Sequence, residues 1–337
     1  MDVTSHKRLI FSFVLILFVS CSKTKIIYNY ADFLLLNWFE SYFELKEPQR
    51  LDLEKKMEKF FLWHRKSELP KIVLFLEEFK ARYGDGIDKK DINWIASESK
   101  LFWKRILDYT EEDIASFLLT VDDIQVLKAK EKLLQKEDDW LIKQSKMTSE
   151  ELRKNILDRT YEFLDEWLGA LEPSQKAQIA TWGKPDTYWI ATKLKNREKF
   201  QNDLIGLLRS KELLKENIHS WISDPKSHWT EEFKATIGSK KQEWETITLG
   251  IDSITLPRQR KQLIKKINEF INDFKDLAGI EEKYEEDIKL VPRGRMSSMV
   301  SGVQNQNETY CKLLGVVIQI DFFSFLPLQH PNNFFLK

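Results

Sequence analysis

From residue 32 onward the apolar residues of this 337-residue chain return at helical spacing. Leu53, Met57, Phe60, Phe61 and His64 share one face, and Ile72, Phe75, Leu76 and Phe79 take up the pattern after Pro70. Ile92, Ile95, Phe102 and Ile106 form a further stripe, as do Leu152, Ile156, Phe163 and Trp167. The clearest stripe runs through Leu263, Ile264, Ile267, Phe270, Ile271 and Phe274. Lys and Glu fill the opposite faces, so each stripe predicts an amphipathic helix with one buried side. Before residue 312 no stretch sustains the two-residue alternation of a strand. The expected fold is all-α, a multi-helix array of amphipathic helices with capped starts and no sustained sheet.

A local signal punctuates the stripes: an apolar residue, a capping position, two more residues, then Gln, Glu or Asp. It occurs at Leu45…Gln49, Tyr109-Thr110…Asp113, Val121-Asp122…Gln125, Met147-Thr148…Glu151 and Leu171…Gln175. The apolar residue staples the entry, and the last residue reaches back to a backbone amide that the helix leaves unpaired. Pro48 and Pro173 sit just inside two of these starts, where a missing N–H costs little. Lys46 and Glu172 take the place of the usual Ser, Thr or Asp cap. Roughly nine to eleven helices follow. No fixed repeat period is evident, which argues against a solenoid.

Gly84-Asp85-Gly86 and Ser223-Asp224-Pro225 are the strongest breaks. They suggest a main helical domain over 32–223 and a C-terminal helical subdomain over 224–290. After about residue 290 Lys and Glu thin out, and 291–337 reads as a poorly ordered extension. Its apolar stretch from Leu313 to Leu328 is interrupted by Asp321 and Pro327, against a membrane span.

The first twenty residues follow a different rule. His6, Lys7 and Arg8 precede the apolar run Leu9–Val19, which is shorter than the roughly 20 residues a spanning helix needs and suits a signal peptide over 1–20. Phe18-Val19-Ser20-Cys21 resembles a lipobox, with a small residue ahead of the cysteine; Phe18 stands where leucine is usual. The resemblance implies a thioether-linked lipid at Cys21, with 21–31 as anchor and short linker. Ser22, in place of an aspartate, implies the outer membrane, periplasmic face.

Composition narrows the function. Hydrophobic residues make up 42%, with 11 Trp and 22 Phe, enough for a substantial core. Basic and acidic residues balance at 53 each; without Lys7, Arg8 and Asp2 they stand at 51 and 52. Interleaved charge lacks the basic field that phosphate backbones require, so nucleic acid is not an expected partner. The two cysteines are Cys21 and Cys311, so lipidation of the first leaves no pair for an internal disulfide. His6, His64, His219, His228 and His330 include no i, i+4 pair of the kind that binds zinc on a helix. No Gly-rich phosphate loop or G-x-S-x-G is present. Neither metal nor cofactor is expected, and no catalytic residue is assigned.

Several segments together carry a resemblance. They are Tyr28-Asn29-Tyr30-Ala31-Asp32, Leu34-Leu35-Leu36-Asn37-Trp38, Trp63-His64-Arg65…Glu68-Leu69-Pro70 and Glu166-Trp167-Leu168-Gly169…Pro173-Ser174-Gln175. They resemble a family of proteobacterial lipoproteins of unknown function, and the likeness runs from the lipobox to about residue 275. The family implies a helical lipoprotein and supplies no activity. The starts at Leu45…Gln49 and Leu171…Gln175 are also similar to the Leu-Thr-x-x-Gln motif of small Spy-like periplasmic chaperones, with Lys46 and Glu172 in place of the threonine.

Two segments are candidate sites. Trp63 to Pro70 places Trp63, His64 and Arg65 beside Glu68, as a polar knot fixing a helix junction at Pro70, as part of a partner-binding surface, or as the seat of an enzyme site. Phe33 to Phe43, with Trp38 and Phe39, is either a core helix or a docking face for membrane or partner. The expectation is a non-enzymatic helical binding module for clients or envelope partners, membrane-bound through its lipid. The alternatives are an assembly factor docking through 33–43 and an enzyme centred on His64.

Overall fold

A computed structural model describes residues 23–280 except 146 and 183–186. The expected signal at 1–20, Cys21 and the extension 291–337 lie outside the described residues. The described residues contain helices and no strand, the all-α array expected.

The chain opens with α1 (Lys23–Asn29) and α2 (Ala31–Phe43). A long rod follows: α3 (Glu47–Trp63), a π-helical turn (His64–Glu68) and α4 (Leu69–Tyr83). Then come α5 (Lys89–Thr120), α6 (Asp123–Ser145), α7 (Ser149–Leu168) and α8 (Pro173–Trp182). The last part is α9 (Thr187–Arg209), α10 (Lys211–Ser223), a 3-10 turn (Pro225–His228), α11 (Glu231–Ile254) and α12 (Pro257–Ala278). No helix among the described residues is long and apolar enough to cross a membrane. The stretch to residue 31, expected as a linker, is helical from Lys23, because Tyr28 has a place in the core.

Three apolar clusters hold the array. The first joins Leu36 of α2, Leu53 and Met57 of α3, Phe117 of α5, Val126 of α6 and Leu214 and Ile218 of α10. The second joins Tyr28, Leu69, Val73, Phe75 and Leu76 with Phe102 of α5 and Ile267, Ile271 and Phe274 of α12. The third gathers Leu164, Leu168, Leu171 and Ile179, with Ile251, Ile254 and Leu263 against them. The break at Ser223-Asp224-Pro225 is the 3-10 turn, yet α12 beyond it packs along α4.

Four of the expected starts begin helices, and Tyr109-Thr110…Asp113 does not. Thr110 lies inside the 32-residue α5, its hydroxyl donating to the Ile106 carbonyl at 2.8 Å. A threonine that bonds back into its own helix does not cap one.

The glutamines of these starts form locks that the pattern did not reveal. Gln49 Nε2 donates to Gln125 Oε1 at 3.0 Å, and Gln125 Nε2 donates back to Gln49 Oε1 at 2.8 Å. Each amide oxygen also takes its own cap N–H, from Lys46 and Asp122, and each nitrogen reaches a carbonyl before the other start, at Thr120 and Phe43. Gln175 and Gln259 repeat the arrangement, at 2.8 and 3.1 Å, with the amides of Glu172 and Leu256 and the carbonyls of Ile254 and Ala170. All four side chains are buried, and their amide hydrogens and oxygens are matched.

Candidate functional site

The site begins with Pro70. Proline has no N–H and its ring crowds the carbonyl four residues back, so an α-helix cannot pass through it unchanged. Here the turn before it widens, and the Leu69 amide bonds to the His64 carbonyl five residues earlier. This π turn keeps α3 and α4 in one rod and re-aims His64, Arg65 and Glu68.

The re-aimed side chains meet α1 and α5. The Tyr28 hydroxyl and His64 Nδ1 lie 2.7 Å apart. The Tyr28 oxygen accepts a hydrogen bond from Arg65, so its own proton points to the imidazole. Burial raises the phenol's pKa, keeping it a donor. Arg65 also donates to Asn29 Oδ1 at 2.7 Å and lies over the Tyr28 ring, 5.2 Å from its centroid. Tyr28-Asn29 and Trp63-His64-Arg65, two separate motifs in the sequence, are thus one contact. Burial lowers the His64 pKa to about 4, against the opposing charge of Glu68.

Glu68 is the most enclosed charge of the group. Its carboxylate takes Lys71 Nζ on one oxygen at 2.6 Å and Arg105 Nε on the other at 2.8 Å. Beside it Trp63 stacks on Tyr109 at 3.9 Å with 7° between the rings, and Lys59 approaches the same tyrosine. The aromatic stack and the Glu68–Arg105 pair both clamp the rod to α5.

The residues of the 33–43 segment are placed apart from this cluster. Phe39 and Phe43 meet Phe117 edge-on, at 5.4 and 5.5 Å. Trp38 lies against Phe39 and Tyr42. Leu36 and Tyr42 are buried, Trp38, Phe39 and Phe43 are half-buried, and Phe33 and Leu35 are the exposed large apolar residues of the segment. Sequence reasoning missed a polar band on α9, where Thr192, Asn196, Arg197 and Gln201 are buried. Burial and the nearby Arg197 hold the Lys193 ammonium at about 8. The i, i+4 spacing of 192, 196 and 197, 201 was the available signal. Among the described residues no group of three or more His, Cys, Asp or Glu side chains is placed to hold a metal ion.

The polar groups around His64 are engaged with one another, the arrangement of a structural knot. His64→Ala is expected to lower the urea midpoint at pH 7 by an amount equivalent to about 1–3 kcal/mol, through lost ring packing and an orphaned Tyr28 hydroxyl. Below about 6.5 the unfolded chain takes up a proton that folded His64 refuses until about 4. Stability from this group is thus lost as pH falls through that window, by about 3 kcal/mol. The variant should lack that part of the acid slope between pH 7 and 4.5. A rise in the neutral-pH midpoint would instead mark His64 as a residue kept for function at the expense of stability.

The chain belongs to a family of unknown function (DUF6279), which matches residues 41–234. No curated protein and no solved structure matches it.

Proposed function

We propose that this member of DUF6279 is a lipoprotein of the outer membrane, anchored through Cys21, whose helical body binds client or envelope proteins at the periplasmic face and catalyses no reaction. The likeness of its N-terminal motifs to proteobacterial lipoproteins and its Phe18-Val19-Ser20-Cys21 sequence support the anchor.

The observation that carries the binding reading is the outward side of α6. Val126, Ala129 and Leu133 face the core, as an amphipathic helix requires. Yet Ile124, Leu127 and Leu134 are 66, 53 and 44% exposed. At about 100° per residue these three fall within a stripe about 80° wide. Glu131 shares it, so the surface is apolar with a charged element, as protein interfaces tend to be at the rim. An apolar stripe on a well-packed helix contributes nothing to the fold and is the kind of surface that takes a partner.

Two measurements test the two halves. Cys21→Ser should leave an unprocessed precursor without fatty-acid label; continued maturation and acylation would end the lipoprotein reading. A photoreactive residue at Leu127 in the full-length lipidated chain should give protein adducts in intact cells, reduced by Ile124→Lys. Irradiation without any protein adduct at Leu127 would count against binding through this face.

A further inference from the structure

We infer that the α1–α2 junction seats on the surface of the bilayer that holds the Cys21 lipid. The inference rests on the anchor reading above and concerns a different face from α6.

Exposed large apolar side chains concentrate at this junction. Ile26, Tyr30 and Phe33, spaced i, i+4 and i+7, are 37, 41 and 38% exposed, on both sides of the helix break at Tyr30, while the exposed Leu35 lies about 160° round α2 from Phe33. The exposure is not fraying, because the junction is fixed from behind. Tyr28 bonds to His64, Asn29 accepts from Arg65, Lys25 pairs with Asp276 and Leu36 lies in the core. Ile280, 45% exposed, follows Asp276 at the end of α12, beside the start of α1. The result is an apolar surface mounted on a rigid body.

Distance selects the occupant. Cys21 is two residues before α1, and α1 rises about 1.5 Å per residue, so Tyr30 lies at most about 18 Å along the chain from the lipidated thiol. A bilayer with its headgroups is about 40–45 Å thick. A short tether of this kind keeps the junction at high local concentration against the lipid surface. The side chains suit that surface, since tyrosine favours the headgroup level and Ile and Phe the acyl boundary. The nearby charges offset one another: Lys25 is paired with Asp276, and the Arg65 guanidinium held by Asn29 is balanced by the Asp32 carboxylate. Docking should therefore be insensitive to salt and to the fraction of anionic lipid.

The test places a photoreactive phenylalanine analogue at Phe33, and separately at Glu112 of α5, whose side chain is 85% exposed. Each full-length chain is irradiated in membranes, with fatty-acid label at Cys21 read in parallel. Position 33 should give lipid adducts at least about tenfold above position 112, as expected for side chains at the headgroup boundary. Ile26→Asp with Tyr30→Asp should remove them without changing the melting temperature. Protein adducts at 33, or none from a labelled, membrane-bound chain, would overturn the docking and leave the anchor standing. If the Cys21 label is absent, the anchor fails, and docking is read on the mature chain carrying Cys311→Ser. That chain is coupled through Cys21 to a maleimide lipid in phosphatidylethanolamine–phosphatidylglycerol vesicles. Absence of lipid adducts at 33 in that arm overturns the inference on its own.

Discussion

Ending the chain after Leu256 is expected to abolish cooperative unfolding. The cut removes α12 and with it Ile267, Ile271 and Phe274, which are 4, 2 and 5% exposed. Full burial of such side chains contributes about 1.5–3 kcal/mol each, or roughly 5–9 kcal/mol for the three. A domain's net stability is about 5–15 kcal/mol. The cut also bares the face of α4 that carries Leu69 and Val73, and leaves the Gln175 amide without Gln259. Far-UV circular dichroism during heating should show a broad, shallow loss of helix and a reduced urea m-value. A sharp transition within a few degrees of the full chain would make α12 an appendage and support a subdomain boundary near residue 224. The family match ends at residue 234, inside α11, so the folding unit extends beyond the stretch that identifies the family.

Arg105→Met should cost more than Glu68→Gln, although both break the same ion pair. The asymmetry comes from burial: the Glu68 side chain is 1% exposed, Arg105 30% and Lys71 47%. Without Arg105 a carboxylate stays deep in the protein with Lys71 alone, the situation that costs about 3–5 kcal/mol when a buried pair loses one member. Without the Glu68 charge, Lys71 turns to water and the amide oxygen still accepts from Arg105, so no buried ion is left unpaired and about 1–2 kcal/mol is expected. Urea midpoints at pH 7 decide between them. Equal losses, or a larger loss for Glu68→Gln, would mean the pair is solvated.

Periodicity made the helices legible, because each stripe has to be buried against something. It also singled out Trp63 to Pro70 as a segment whose histidine and glutamate, beside a mid-helix proline, need partners. It could not name those partners. Tyr28 is 36 residues from His64, and Arg105 is 37 from Glu68; a face pattern says which way a side chain points and not what it meets. The start of α12 was missed for a local reason. Its cap position is Leu256, which caps nothing, and Gln259 alone takes the orphan amide. The spacing Pro257-Arg258-Gln259, a copy of Pro173-Ser174-Gln175, was the available clue. Thr110 misled in the opposite direction, because a threonine can spend its hydroxyl within the helix as readily as at its end.

The packing of α12 on α4 also sets an order of events during synthesis, which runs from the N-terminus. Lys80 and Asn268, hydrogen-bonded at 3.1 Å in the finished protein, are 188 residues apart. The Gln49–Gln125 lock closes a circuit of 76 residues and can form while the rest is still emerging. Leu69, Val73 and Leu76 must wait for α12. During that interval the nascent chain presents an uncovered apolar ridge along α4, the kind of surface through which partly made chains associate.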